Sequence, residues 1–242
     1  MSKKVTIITP TTGSGYLAKN LASVSEQTYD NVEHFVVIDG PDFATRAERI
    51  LDEFEGKTVL SLPENTGADQ YNGHRIYGAI PYLCSSDYVI YLDEDNWVDP
   101  EHVETLVKTA ENCDWAFALR KIVDASGEYV CNDDCENLGL WPTCISDKEF
   151  FVDVGAYFLP RSVAIQISPL WYRRARHPDE QPEVDRIIMQ VLLQYGFKYD
   201  TNGKYTLNYR VGNRADSVKS DFFLWGNEQH KRKYNGAYPW RK

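Results

Sequence analysis

The chain has 242 residues, with 26 Lys plus Arg against 36 Asp plus Glu, a formal charge of −10. That balance excludes a nucleic-acid binder, because neutralising phosphates needs a basic face. With 43% hydrophobic and 13% aromatic residues, the composition is that of a globular unit and excludes a disordered or fibrous chain. The charge is uneven: residues 204–242 carry nine Lys/Arg and three Asp/Glu, a basic segment on an acidic body.

No apolar run approaches the ~20 residues that a membrane-spanning helix requires. The N-terminus, MSKKVTIITP, enters a strand-like pattern at once and leaves no room for a signal peptide. The expectation is a cytoplasmic protein without a transmembrane segment, with peripheral membrane contact through the basic C-terminal tail left open. Five cysteines, Cys84, Cys113, Cys131, Cys135 and Cys144, show no Cys-x-x-Cys pair and read as mostly reduced thiols.

Val5 to Thr9 reads as a buried strand that Pro10 ends. A helix follows from about Tyr16, with Leu17, Leu21 and Val24 on one face. Phe35 to Ile38 is a second strand, and Ala47, Ile50, Leu51 and Phe54 mark a second helix. Val59 to Leu62 is a third strand, residues 68–83 a less regular third helix, and Tyr88 to Leu92 a fourth strand. Asp99 is the expected N-cap of the next helix, with Pro100 in its first position. Strand-helix units of this length imply a mostly parallel sheet flanked by helices. After about Ala125 the chain becomes irregular, with short strands at Tyr129–Cys131 and Tyr157–Leu159. A strong amphipathic helix spans roughly residues 182–195 and ends at Gly196. No linker divides the chain, so one domain is expected over 1–242.

Ligands of an open α/β sheet sit beyond the carboxyl ends of its strands. Three strand ends carry useful chemistry: Pro10-Thr11-Thr12, Asp39-Gly40 and Asp93-Glu94-Asp95. Asp93 and Asp95, two apart on extended chain, project to one side. Their repulsion is relieved by a hard divalent ion such as Mg²⁺ or Mn²⁺ that also bridges phosphate oxygens. The spacing does not suit a calcium loop, which would need an oxygen ligand at Trp97 and glycine at Val98. A competing motif is Gly13-Ser14-Gly15-Tyr16-Leu17-Ala18, which matches the dinucleotide fingerprint with Asp39 downstream, and would make the chain an NAD-dependent dehydrogenase. It leaves the acidic cluster unused, and three residues separate the strand from its first glycine.

The stretch VTIITPTTGSGYLAKNLASVSEQTYDNVEHFVVIDGPD, then Asn65-x-Gly67 and YVIYLDEDNWVDPEHVETL, resembles the family-two glycosyltransferases over about residues 4–110. The resemblance implies a GT-A (Rossmann-like) fold, with a nucleotide-sugar binding half at 1–120 and an irregular acceptor-binding half at 121–242. By motif position it places Pro10, Thr11, Thr12 and Asp39 at the nucleoside, Asp93 and Glu94 near the ribose and sugar, and Asp95 with Asp93 at a Mn²⁺ or Mg²⁺ ion on the diphosphate. The family's Ala-Arg-Asn segment is replaced by Gln70-Tyr71-Asn72-Gly73, which makes Asn72 and Arg75 the donor-side candidates. Counting back from Gly196, Asp185 falls at the family's catalytic aspartate, with Val184 in place of the preceding Glu; Glu183 and Asp179 are the alternatives for another register. The late Tyr-Arg-Val-His pattern reads Tyr209-Arg210-Val211-Gly212, so a histidine metal ligand is missing, and Asn213, His177 and His230 are the replacements to consider. Trp141, Trp171 and Tyr172 are candidates for stacking on an acceptor sugar, and Arg173, Arg174 and Arg176 for an anionic group.

The implied function is inverting, metal-dependent transfer of a sugar from a nucleotide diphosphate donor, UDP-linked by expectation, to a carbohydrate or lipid-linked acceptor. The alternative is a non-catalytic nucleotide-sugar or carbohydrate-binding module of the same fold. The basic C-terminal segment is expected to close over the diphosphate or to approach an anionic acceptor.

Overall fold

The computed structural model describes residues 2–173, 184–214 and 217–242. Strands β1 (Val5–Thr11), β2 (Val32–Ile38), β3 (Lys57–Ser61) and β4 (Tyr88–Tyr91) alternate with helices α1 (Leu17–Ser25), α2 (Pro41–Leu51) and α3 (His74–Ala79). Next come β5 (Trp97–Val98), α4 (His102–Ala110), β6 (Trp115–Val123), β7 (Tyr129–Asn132), β8 (Tyr157–Pro160) and α5 (Arg161–Ile167). Helix α6 (Val184–Gln194), β9 (Tyr199–Arg210) and α7 (Ser220–Lys233) complete the order.

One sheet runs through both halves in the order β3-β2-β1-β4-β8-β6-β9-β5, with β7 added on β6. β1 pairs in parallel with β2 and β4, β2 with β3, and β6 with β9. β8 runs antiparallel between β4 and β6. All seven residues of β1 are buried, as suits a β-branched strand covered on both faces. Alternation along β2 divides the core. Val36 and Ile38 pack with Leu17, Leu21, Ala47 and Leu51 of α1 and α2, whereas Phe35 and Val37 belong to the larger core with Tyr91, Phe158 and Trp171. Strand order reverses at β1, between β2 and β4, so a crevice opens above their carboxyl ends.

Three sequence expectations change. The helix foreseen over 68–83 contracts to α3 and a 3₁₀ turn at Ile80–Tyr82, because the preceding chain bends through positive φ at Asp69, Gln70 and Asn72. Asp99 does not cap α4, which starts at His102; its carboxylate accepts from Lys121 Nζ at 2.5 Å and Asn208 Nδ2 at 2.9 Å. Finally, the C-terminal segment divides: Tyr209, Arg210, Asn213, Arg214 and Val218 reach the cleft above the sheet, whereas the last residues pack into the body of the domain. Trp240 is fully buried with its indole N–H on Asp134 Oδ1 at 2.7 Å, Arg241 pairs with Asp134, and Lys242 pairs with Asp200 at 2.6 Å. Among the described residues no helix is long and apolar enough to cross a membrane.

Candidate functional site

Above the ends of β1, β2 and β4 lies a cleft of about 710 Å³. The β1 end supplies Pro10, Thr11 and Thr12, the β2 end supplies Asp39, and the chain after β4 supplies Asp93 to Asn96. Asn65, Gly67, Asn72 and Gly73 close one side, and Tyr209, Arg210, Asn213 and Arg214 the other. Five donor-side expectations, Pro10, Thr11, Thr12, Asp39 and Asn72, thus meet in one cavity with Asp93 and Asp95.

Asp39 is nearly buried and holds the opposite wall in place. Its Oδ1 accepts from the Thr66 backbone N–H at 2.7 Å and the Thr66 hydroxyl at 2.8 Å, and its Oδ2 accepts from Gly67 N–H at 2.8 Å. A carboxylate oxygen has two lone pairs, so Oδ1 is filled and Oδ2 keeps one acceptor direction. Gly67 is required for this approach: a Cβ there would lie 2.7 Å from Asp39 Oδ2 and 2.4 Å from the Asn72 carbonyl.

The acidic cluster is fixed from three directions. The Tyr77 hydroxyl donates to Asp93 Oδ1 at 2.5 Å, and Asn213 Nδ2 donates to Asp95 Oδ2 at 2.7 Å. Fully buried Asn20 donates to the carbonyls of Asp93 and Asn96 at 3.0 and 3.1 Å. Arg210 reaches the Asp95 carbonyl from Nε at 3.1 Å, with its guanidinium over the Tyr16 ring. Burial, then the adjacent Asp95, pushes the Asp93 carboxyl up to about 7. Burial also raises Asp95, while the Asn213 hydrogen bond opposes the rise. Such a pair gains most from a positive charge between its members.

Glu94 takes a different part from the donor contact expected of it. Its carboxylate accepts from the Thr11 hydroxyl, from the hydroxyl and N–H of Thr12, and from Ser14 N–H, so it braces the β1–α1 turn. That arrangement counts against the dinucleotide reading of Gly13 to Ala18, because the Glu94 carboxylate already takes the Ser14 N–H and its negative charge stands where a pyrophosphate would approach the turn.

Arg75 is also displaced from its expected role. It does not line the cleft; it stacks on Tyr71 with 3.6 Å from guanidinium carbon to ring centroid and donates to the Thr66 carbonyl at 3.2 Å. Trp171 cannot stack on an acceptor sugar, being fully buried against His74, Tyr77 and Tyr91 behind the cleft wall. Trp141 packs edge-on to Trp240, 5.8 Å away, and belongs to the C-terminal lock. Tyr172 is half exposed, with its hydroxyl 3.5 Å from the Arg75 carbonyl. His230, on the inner face of α7, is buried with Nδ1 2.8 Å from the Asp134 carbonyl, outside the cleft. Asn213 does stand beside Asp95, but it offers a donor there. Arg174, Arg176, His177, Asp179 and Glu183 lie outside the described residues.

Asp185 sits in the first turn of α6. Burial, then the charge of Asp153, pushes its carboxyl up to about 7. It does not line the cleft itself; Val154, the neighbour of Asp153, does. Around it is an ion network centred on buried Arg120, which meets Asp133 at 2.7 Å, Glu136 at 2.6 Å and Asp153 at 2.5 Å. Arg186 joins Glu136, at 2.7 Å, to Glu149.

Sequence reading missed Asn20, Tyr77 and the Arg120 network. Asn20 had a signal: it sits at i+3 in the apolar stripe Leu17, Leu21, Val24, where a polar side chain needs a buried partner. Tyr77 and Arg120 had none, since their partners lie far away in sequence.

Comparison with known proteins agrees with this fold. GlyA of Streptococcus pneumoniae, a glycosyltransferase, is 33% identical over 115 residues, 43% of this chain and 15% of its own length. The glucosyl-dolichyl phosphate glucuronosyltransferase of Haloferax volcanii is 31% identical over 102 residues, 42% of this chain and 31% of that protein. The chain therefore spans less than a third of either relative. Among solved structures, S. aureus TarS 1-349 in complex with UDP-GlcNAc superposes with a TM-score of 0.63 at 13% identity, covering 92% of this chain and 64% of that one. The complex of the same fragment with UDP gives 0.61 at 14% identity, over 86% and 60%. These likenesses show the fold. A profile of glycosyl transferase family 2 matches residues 6–133, more than half of the chain, and on that match the chain belongs to this family.

Proposed function

We propose that the chain transfers a sugar from a UDP-linked donor to a hydroxyl acceptor with inversion, using Asp185 as general base. The observation that carries this reading is the meeting of Asp39, Asp93 and Asp95 in one cleft at the strand reversal. The open lone pair on Asp39 Oδ2 suits the imide N–H of a uracil, with Pro10 and Thr11 along the nucleoside. TarS complexes with UDP and with UDP-GlcNAc support a uridine donor.

Asp93 and Asp95 fit a Mg²⁺ or Mn²⁺ ion of the kind that takes one or two protein carboxylates and completes its shell with phosphate oxygens and water. When bound, such an ion supplies positive charge against the negative charge that grows on the departing diphosphate. Arg210 and Arg214 line the same cleft and add fixed positive charge on that side. The acceptor hydroxyl must lose its proton as it attacks; Asp185 is near Asp153, next to the cleft-lining Val154, and a carboxylate raised there toward 7 is matched to that task. The lipid-linked substrate in the name of the Haloferax relative supports including lipid-linked glycans among the acceptors to try.

Calorimetric titration of UDP with and without Mn²⁺, followed by donor turnover across a panel of glycan and lipid-linked acceptors, tests the reading. Tighter UDP binding with Mn²⁺ and sugar transfer are expected. Absence of UDP binding by the folded protein in both conditions sinks it, and saturable binding without turnover would leave only a binding module.

A further inference from the structure

Cys135 and Cys144 lie close together under α7. The Cys144 N–H donates to the Cys135 carbonyl at 2.7 Å. That bond holds the two backbones side by side, the juxtaposition required for the roughly 4.4–6.8 Å Cα separation that a disulfide spans. The side chains turn the same way. A Cβ on Gly226 of α7 would lie 2.7 Å from each of the two sulfurs, so glycine is what lets the helix backbone settle over both. The sulfurs themselves are in contact: the Cys135 thiol donates to Cys144, and this hydrogen bond raises Cys135 and lowers Cys144.

We propose that Cys135 and Cys144 are a disulfide-forming pair, a modification site for low-molecular-weight disulfides such as oxidised glutathione. Cys144 is partly accessible and Cys135 is fully buried, so Cys144 is attacked from solvent and Cys135 resolves. The Cys144 thiolate attacks one sulfur of glutathione disulfide and expels a glutathione thiolate, leaving a mixed disulfide. The Cys135 thiol then gives its proton to water and attacks the Cys144 sulfur, expelling the second glutathione. In sum, two protein thiols and one glutathione disulfide become one protein disulfide and two glutathiones. Cys131, in the same cluster, stands on β7, and the sulfurs that meet beside Gly226 are those of Cys135 and Cys144. Cys84 and Cys113 are held elsewhere, against the carbonyls of Pro81 and Thr109. The ring so closed carries Glu136, which anchors both Arg120 and Arg186, so the bridge staples the segment that braces the start of α6.

The test uses the full chain with oxidised glutathione, then denaturation, alkylation of free thiols and peptide mapping. The free thiols are expected to fall from the five present to about three, with one Cys135–Cys144 linked peptide that dithiothreitol removes. Cys135→Ser is expected to trap glutathione on Cys144, and Cys144→Ser to take up none at Cys135. A thiol count that stays at five in the folded wild type, or a bridge that includes Cys131, overturns the proposal. The wild-type measurement decides even where a variant fails to fold, and it is independent of the donor reading.

Discussion

The Tyr77 hydroxyl, on α3, donates to Asp93 Oδ1 at 2.5 Å and so links the wall beside β1 to the acidic floor beyond β4. The bond favours the charged carboxylate and opposes the burial that drives its pKa upward. Tyr77→Phe removes that support without opening much space. About one unit of further rise in the Asp93 pKa corresponds to about 1.4 kcal/mol, so UDP–Mn²⁺ affinity should fall about tenfold near pH 7 and recover toward pH 9. Calorimetry at the two pH values checks this; an equal loss at both would show that Tyr77 acts through shape alone.

Asp93 also opposes stability. Its carboxyl titrates near the usual carboxylate range when unfolded and near 7 when folded, so between those values the folded state holds more protons than the unfolded one. Stability then falls as pH rises from about 4 to 7, and the loss is complete above 7. Asp93→Asn removes the penalty, and Tm at pH 8 should rise by several degrees, at about 2–4 °C per kcal/mol for a chain of this size, while metal-assisted donor binding is lost. At pH 4 the gain should nearly vanish. Scanning calorimetry at the two pH values measures it, and a Tm gain independent of pH would count against the raised pKa.

The donor half was legible because its signals are local. β1 and β2 are short apolar runs, Pro10 and Asp39 sit at their ends, and Asp93 and Asp95 need only strand geometry to share a side. The longest strands, β6 and β9, were not legible. WAFALRKIV carries Arg120 and Lys121 inside a buried strand, and YDTNGKYTLNYR contains Asn202-Gly203, which reads as a turn. Gly203 has positive φ within β9, and the register against β6 shifts between Phe117 and Leu119, so the turn signal marks an irregularity inside the ladder. Arg120 lies in that strand only because Asp133, Glu136 and Asp153 arrive from later segments to neutralise it. Trp171 and Trp141 failed as acceptor candidates for a related reason: aromatic content does not say which rings fill the core, and Trp171 lies inside it while Trp141 packs against it.

Arg120 is the residue whose loss the fold should tolerate least. It is buried among three carboxylates, and its fork supplies a separate N–H to each. Removing one partner of a buried ion group costs about 3–5 kcal/mol. Arg120→Met should destabilise by at least that much, since Asp133, Glu136 and Asp153 all lose their shared partner. Arg120→Lys should recover little, because an ammonium cannot reproduce the planar fork. Urea denaturation of the two variants measures both effects, and a loss under 1 kcal/mol in Arg120→Met would show that the carboxylates reprotonate at little cost.

The C-terminal residues should behave as core. Trp240 is fully buried among Trp141, His230, Tyr234 and Tyr238, and Asp134 gathers its indole N–H, the Tyr205 hydroxyl and Arg241. Trp240→Ala should cost about 3–5 kcal/mol, and deletion of residues 239–242 at least as much, while UDP affinity of the folded fraction stays unchanged. Denaturant midpoints and calorimetry read the two effects separately; an unaltered midpoint after deletion would mean that the segment is not part of the core.

Two carboxyls near 7, Asp93 and Asp185, make the pH profile the sharpest test of the proposed chemistry, because metal separates them. Asp93 is a proposed metal contact, and a bound cation favours its charged form, so saturating Mn²⁺ should move its titration well below 7. Asp185 is raised by burial and by Asp153, neither of which the metal relieves. UDP affinity should therefore lose its acid limb near 7 as Mn²⁺ saturates, while kcat keeps one, falling about tenfold per pH unit below it because the base must be unprotonated. Asp185→Asn should leave UDP–Mn²⁺ binding intact and lower kcat by about 10²–10⁴-fold, with no acid limb left in the residual rate. A kcat that stays flat from pH 5 to 8 at saturating donor and Mn²⁺, or an Asp185→Asn enzyme with full turnover, would remove Asp185 as the base and leave Asp153, tied to Arg120, as the next carboxylate to test.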